Sequence, residues 1–451
     1  MSHLYSLFSQ VIARHVQANS RLVLGLSGGV DSRVLLELLA QYNTQTDNEC
    51  LAVYVHHGLS TNADMWASQC QKWCDELTIP LFIERVTLNV GKGQSIEKLA
   101  RDARYMALAK HIDSGGLLLT GQHSDDQVET FLLALKRGSG PKGLSSMAEC
   151  MPFQNGFQIR PLLGATRQEI EQYAHQKKLE WVEDESNQDI RFDRNFIRHS
   201  ITPSLIERWP SFHQSVQRSA ALCAEQERLL DELLQPALDN MIEPDNGLSL
   251  PLLTTQSLLA QQRLIRMWFE HCGFLMPSRQ HLDLIIDQVI GAQADANPQL
   301  QVVNGQVRRF NQCLYLVNQM EDVSGWTGDL VLNTPLQLPD GLGEISLSSM
   351  KSSTKPLTSK SQDRKSVSIF IRGDYKGELE VIFEPQGLSA HPESRSHSRK
   401  LKKLFQEYNI PSWLRRRTPI ILNENKVVAV MGLFVDKLYQ GQDCEVIWSK
   451  S

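Results

Sequence analysis

No two cysteines in this chain are spaced as CxxC, and the eight present are scattered across 451 residues. That excludes a disulfide scaffold, a zinc ribbon and a dithiol redox centre. No apolar run approaches the ~20 residues that span a bilayer. Residues 1–21 lack the basic start and unbroken apolar stretch of a secretory leader, and read as a short amphipathic helix. The expectation is therefore a reduced, cytoplasmic protein with no membrane association. Positive charge is also short, because the net charge is −5. Taken globally this argues against a nucleic-acid binder. No internal repeat is visible.

What remains is ordinary globular material, with 41% apolar and 22% charged residues. The length suggests about three domains. The charge is unevenly spread. Between Arg395 and Arg417 lie Arg395, Arg399, Lys400, Lys402, Lys403, Arg415, Arg416 and Arg417, against the single acid Glu407. One basic face on an acidic protein suits a local polyanion site, and a solvated surface helix would carry the same charges.

The first 200 residues alternate. Strand-like runs at Leu22–Leu26, Leu51–Val55, Leu81–Val86 and Leu117–Thr120 are separated by helical spacing at Val34–Leu39, Ala63–Leu77, Ser95–Ile112 and Val128–Leu135. This is the pattern of βαβ units and a Rossmann-like parallel sheet in an α/β domain. Such sheets bind ligands at the carboxyl ends of their strands, so the loops after Leu26, Val55 and Thr120 should share one crevice. From about Ser215 the texture becomes helical, and beyond Val302 short β-prone runs appear. The division expected is 1–212, a helical middle domain 213–322, and a small mixed α/β domain 323–451. Within the last, Ser346–Ser368 carries nine serines in 23 residues and reads as a flexible loop.

Ser27-Gly28-Gly29-Val30-Asp31-Ser32 lies between a strand and a helix. Two glycines allow close backbone approach to an anion, and N–H groups at a helix start point toward it. Asp31 stands where a carboxylate could hold Mg²⁺ beside a triphosphate. The plainer reading is a strand–turn–helix junction capped by Ser27. After the fourth strand comes Gly121-Gln122-His123-Ser124-Asp125-Asp126-Gln127-Val128-Glu129-Thr130. Asp126 and Glu129 share a helical face, where they could bind Mg²⁺, recognise an ammonium or accept an amine proton. Ser124 with Gln127 would equally make a capping box. Adjacent His56 and His57 end the second strand and point to opposite faces, which argues against a metal pair. His57 could contact adenine and Arg104 could reach phosphates. Arg194 and Arg198, on one helical face, suit a phosphodiester or an ion pair with Asp184.

SGGVDS after a strand resembles the pyrophosphate loop of the PP-loop ATP-pyrophosphatase superfamily. VHHGL, IEKLARDARY, HSDDQVET, LKRGSGPKGL, IRPLL and the DESNQD–RN–IR run follow in the order seen in the tRNA(Ile)-lysidine synthase family. RKLKKLFQEYNIPSWLRRRTPII is similar to that family's C-terminal module. The serine-rich stretch departs from the pattern as an expanded loop.

The resemblance implies an ATP-dependent ligase. The C2 oxygen of the wobble cytidine in a CAU anticodon attacks the α-phosphate of ATP, and the ε-amine of free lysine then displaces AMP. It further implies ATP and Mg²⁺ as cofactors and tRNA(Ile) as partner, and leaves a homodimer open. The pyrophosphate loop Ser27–Ser32 and His57 would bind ATP. Asp31, Arg104, Asp126 and Glu129 would serve the chemistry. Arg194, Arg198, Arg399, Lys400, Lys402, Lys403, Arg415 and Arg416 would grip the tRNA. The alternative is a tRNA 2-thiolation enzyme on the same loop. It needs a sulfur-carrying cysteine, whereas Cys70 and Cys74 form only a CxxxC within a helix, expected away from the catalytic loops.

Overall fold

The computed structural model describes residues 2–17, 20–58, 60–88, 96–293, 296–350, 366–375 and 377–450. Two compact units divide the chain, Met1–Leu233 and Leu234–Ser451. A helix at Phe212–Met241 runs across that division, so the boundary expected at 212/213 falls at its start.

In the first unit, α1 (His3–His15) precedes β1 (Leu22–Gly25), α2 (Val30–Asn43), β2 (Cys50–His56), α3 (Ala63–Glu76), β3 (Leu81–Arg85), α4 (Ile96–Ala109), β4 (Leu117–Leu119) and α5 (Ser124–Lys136). A short α6 (Pro141–Leu144), the hairpin β5 (Cys150–Phe153) and β6 (Gly156–Ile159), and α7 (Arg167–Gln176) follow. The strands lie in the order β3-β2-β1-β4-β6-β5. Neighbours are parallel from β3 through β6, and β5 is antiparallel at the edge.

Both faces of this sheet are covered, which explains the near-continuous apolar strands. Leu22 and Leu24 of β1, with Leu117 and Leu119 of β4, pack among buried residues of α1, α2, α3 and α7. Val23, Val53 and Leu118 pack on the opposite side with Ala107 and Leu108 of α4. Alternation with period two thus sends successive side chains into two different cores. The chain winds from β1 outward to β2 and β3, then returns to place β4 on the other side of β1. That reversal opens a crevice at the carboxyl ends of β1 and β4.

The β5–β6 hairpin has no counterpart among the expected elements. Gly156 runs so close to its neighbour that an added Cβ would sit 2.1 Å from the Gly116 carbonyl oxygen, and no local pattern of residues signals that approach.

The second unit contains separate cores. Leu238, Leu264, Trp268 and Leu282 gather with Val307 and Leu314, where helices pack with a four-stranded sheet. That sheet adds to the helical character expected for the middle region. Further on, Ile345, Leu347, Val381, Val446 and Trp448 form another core.

The serine-rich stretch needs correction at both ends. Glu344–Ser349 and Ser366–Ile371 are strands, paired on either side of the strand Cys444–Ser449. Alternating Ile345, Leu347 and Ile371 are buried there, and period-two apolar spacing outweighs serine content. Residues 351–365, the centre of the expected loop, lie outside the described residues.

Leu24 is fully buried. Leu24→Ala should therefore lower the unfolding free energy of the first unit by ~2–5 kcal/mol. Urea denaturation would show this as a lower midpoint with an unchanged slope.

Candidate active site

The loop after β1 is held from within. Gly28 adopts φ +88°, a conformation that glycine enters without a Cβ clash. Its carbonyl accepts from the Val182 amide at 2.9 Å. The Ser32 hydroxyl, buried, donates to the Gly29 carbonyl at 3.0 Å and accepts from the Ser27 amide at 3.2 Å. Ser27 Oγ lies 3.0 Å from Ser32 Oγ. Gly29 occupies the cap position of α2, not Ser27. Ser32 therefore fixes the loop's shape while the start of α2 stays open to a ligand.

The loop after β4 comes against it. A Cβ on Gly121 would stand 3.2 Å from Asp31 Cβ, so the two loops touch backbone to backbone. His123 then projects into a cluster of acids. Its Nε2 is 3.6 Å from Asp31 Oδ1 and 3.4 Å from Asp126 Oδ2, and its Nδ1 is 3.4 Å from Asp125 Oδ2. Burial opposes charge on this imidazole, but the three carboxylates outweigh it and raise the pKa to about 9. His123 is therefore a buried cation at neutral pH.

Asp31 also accepts from Arg167 Nη1 at 2.7 Å. Burial pushes its carboxyl up, against His123 and Arg167. Its Oδ1 is buried with no hydrogen-bond partner. Asp125 takes the Arg167 amide at 2.8 Å and His213 Nε2 at 3.0 Å. Burial raises the Asp125 carboxyl, and His123, His213 and the Arg167 amide together more than reverse it, leaving it well below the usual carboxylate range.

Asp126 caps α5 by accepting from the His123 amide at 3.1 Å. The capping pair is thus His123 and Asp126, displaced by one residue from the expected Ser124 and Gln127. Glu129 is only 1% exposed. It takes Arg198 Nε at 2.6 Å and Nη2 at 3.0 Å, and Arg194 Nε lies 3.2 Å away. Arg198 Nη2 reaches Asp126 Oδ1 at 3.2 Å. Arg194 and Arg198 therefore pair with the acids of α5. Glu129 does not line the cavity described next.

That cavity has a volume of about 1010 Å³. Its walls bring together Ser27, Gly29, Val30, Asp31 and Ser32 with His57, Arg104, Asp126, Arg194 and Arg198. His56 is turned away, 3.3 Å from Asp64 Oδ1. His57 Nε2 accepts from Arg104 Nε at 3.3 Å. Burial first, then Arg104 and His56, depress the His57 pKa to about 4. Three site residues escape sequence reasoning. His123 and Asp125 stand inside a quoted motif, but nothing marks them above their neighbours. Arg167 carries no local signal, since only the fold brings it to Asp31.

The C-terminal cations lie in the second unit. Lys400, Lys402 and Lys403 are exposed at and just inside the start of the helix Leu401–Glu407. Arg399 and Arg395 both pair with Glu407. Arg416 pairs with Glu384 at 3.0 Å. Arg415 Nε donates to the Ile410 carbonyl at 2.9 Å. Among the described residues no helix is long and apolar enough to cross a membrane.

Three domain families match in succession: a PP-loop domain over residues 2–205, a TilS substrate binding domain over 248–315 and a TilS substrate C-terminal domain over 379–449. A Vibrio vulnificus (strain CMCP6) protein named tRNA(Ile)-lysidine synthase is 58% identical over 450 residues, covering 100% of both chains. Its counterpart from Vibrio atlanticus (strain LGP32) is 56% identical over 462 residues, again covering 100% of both. One from Photobacterium profundum is 47% identical, covering 99% of each. The chain belongs to the tRNA(Ile)-lysidine synthase family.

The thiolation alternative is not favoured by that membership, nor by the cysteines. Cys70 is nearer the loop than expected, because a Cβ on Gly28 would stand 3.4 Å from its Sγ. Burial holds both Cys70 and Cys74 near a pKa of about 12, so neither offers a thiolate.

The depressed His57 pKa has a consequence for stability. Above about pH 6.5 the imidazole is neutral folded or unfolded. Between there and about 4 only the unfolded chain takes the proton, so stability falls as the pH drops. Thermal unfolding followed from pH 7 to pH 4 should show a smaller loss in His57→Gln than in the parent.

Proposed function

We propose that this cavity joins the ε-amine of lysine to C2 of the wobble cytidine in the CAU anticodon of tRNA(Ile), using ATP. The observation that carries this reading is the placement of Asp126 and the Asp31–His123–Arg167 cluster beside the loop Ser27–Ser32, inside one cavity. In the first step the cytidine C2 oxygen bonds to the α-phosphorus, and the bond to pyrophosphate breaks. In the second the amine bonds to C2, the C2–O bond breaks, and AMP leaves.

The amide groups at the start of α2 receive the pyrophosphate. The apolar walls near Leu26, Val53, Val55 and Trp66 suit the adenine ring, with neutral His57 beside it. Arg104 stands on the cavity wall as a cation for the charge gathered on the phosphates. Asp126 is our candidate to orient the lysine ammonium and take its proton. Glu129 is placed instead to hold Arg198 and Arg194 in position.

Mg²⁺ fits this arrangement. Among the described residues no group of three or more His, Cys, Asp or Glu side chains is arranged to hold a metal ion by itself. Mg²⁺ beside a nucleotide nevertheless needs only one or two carboxylates, the remaining oxygens coming from phosphate and water. Asp31 Oδ1, which accepts no hydrogen bond and stands 3.6 Å from His123 Nε2, would supply that ligand. When bound, the ion would neutralise charge on the triphosphate.

For the tRNA body we propose that Arg399, Lys400, Lys402, Lys403, Arg415 and Arg416 lie along phosphates. Lys402→Ala with Lys403→Ala should weaken binding of the full-length tRNA and reduce the slope of log affinity against log salt by about 2. A filter-binding salt titration reads this directly.

The test of the activity is incorporation of labelled lysine into unmodified CAU-anticodon tRNA(Ile), with a cytidine-to-uridine wobble variant as control. Label in the first RNA alone is expected, and none in either RNA would refute the reading. Asp126→Asn should cut lysine transfer ~100-fold or more while the chain still folds. Glu129→Gln should instead destabilise the first unit by ~3–5 kcal/mol, because it removes the buried anion that Arg194 and Arg198 share and leaves Arg198 only its contact with Asp126.

A further inference from the structure

A second cavity of about 740 Å³ opens beside the first, and Arg101, Gln122 and Arg194 line both. Six cations line the second: Arg101, Lys136, Arg137, Arg160, Arg191 and Arg194. The only acid among its lining residues is Asp193. Three of these cations are matched locally. Lys136 holds Asp193 at 2.6 Å, Arg191 holds Asp189 at 2.6 Å, and Arg194 holds Glu129.

The other three have no carboxylate among the described residues. Arg101 lies over the Tyr105 ring at 5.0 Å. Arg137 is exposed, with its Nε on the Leu133 carbonyl at 3.0 Å. Arg160 is the telling one, at 5% exposed. Its Nη atoms bond only to neutral groups, the Ala148 carbonyl at 2.6 Å and Gln158 Oε1 at 3.1 Å, besides a contact with Met151 sulfur. Its Nε has no partner at all. Burial disfavours the charge of this guanidinium. A buried cation without a counter-charge is costly, and it persists where an anion completes it. Phe192, 48% exposed, stands on the same wall, an apolar face on which a base can stack.

We propose that this second cavity holds the backbone flanking the wobble cytidine, with Arg101, Arg137 and Arg160 completed by one phosphodiester. The inference rests on the cytidine entering the first cavity, as proposed above. A nucleotide drawn there must carry its adjoining phosphates past the residues that both cavities share. The three cations without a carboxylate then supply the positive charge that faces this backbone.

The test uses the full-length protein and a synthetic anticodon stem–loop of tRNA(Ile), with a neutral methylphosphonate placed at the phosphate 5′ or 3′ of the wobble cytidine. One of the two should weaken binding to the parent about tenfold, the effect of one charge-assisted contact. In Arg160→Met and in Arg137→Gln that same substitution should cost less than threefold, because the partner is already gone. Arg137 is exposed, so its variant keeps the test decisive should Arg160→Met fail to fold. Equal losses in parent and variants, or no loss at either phosphate, would overturn the inference. Lysine incorporation by the parent is scored separately. Label without the coupled loss would sink the second cavity alone, and the coupled loss without label would sink the proposed activity alone.

Discussion

Everything at the active site hangs on one buried imidazolium. His123 sits among Asp31, Asp125 and Asp126, and each of those acids belongs to a different constraint. Asp31 starts α2, Asp125 ties α5 to the first turn of α7, and Asp126 caps α5. Three carboxylates this close would repel one another strongly in a part-buried site. The cation at their centre, with Arg167 and Arg198 at the edges, converts that repulsion into a joint between two loops. The joint fixes the pyrophosphate-type loop relative to the acid proposed for lysine.

The sheet makes this joint available. Because β4 returns beside β1, the two loops emerge next to each other with no strand between them. Close contact at Gly121, where an added Cβ would stand 3.2 Å from Asp31 Cβ, then brings the two loops together backbone to backbone. The same α5 that begins at the acid cluster ends at Lys136, on the wall of the second basic cavity. One helix thus links the proposed chemistry to the proposed RNA path.

Much of the first unit could be read from its residues. All four parallel strands from β1 to β4 and the helices between them follow from short apolar runs and helical spacing, because each local pattern agrees with the global arrangement. The β5–β6 hairpin could not be read, since its closest constraint is the approach of Gly156 to Gly116. The edges of the serine-rich stretch mislead when composition is weighed above alternation. Glu129 does share the helical face of Asp126, yet a shared face does not say which side chain meets a cavity and which meets an arginine.

The sequence by itself determined the loop Ser27–Ser32, the sheet that presents it, and the family motifs in their order, for these depend on neighbours a few residues apart. Tertiary structure alone decided the charge states and partners. Asp31 meets Arg167 across 136 positions, and Glu129 meets Arg198 across 69. Whether an acid is a ligand, a base or an anchor depends on burial and on which cation faces it, and neither is written in local spacing.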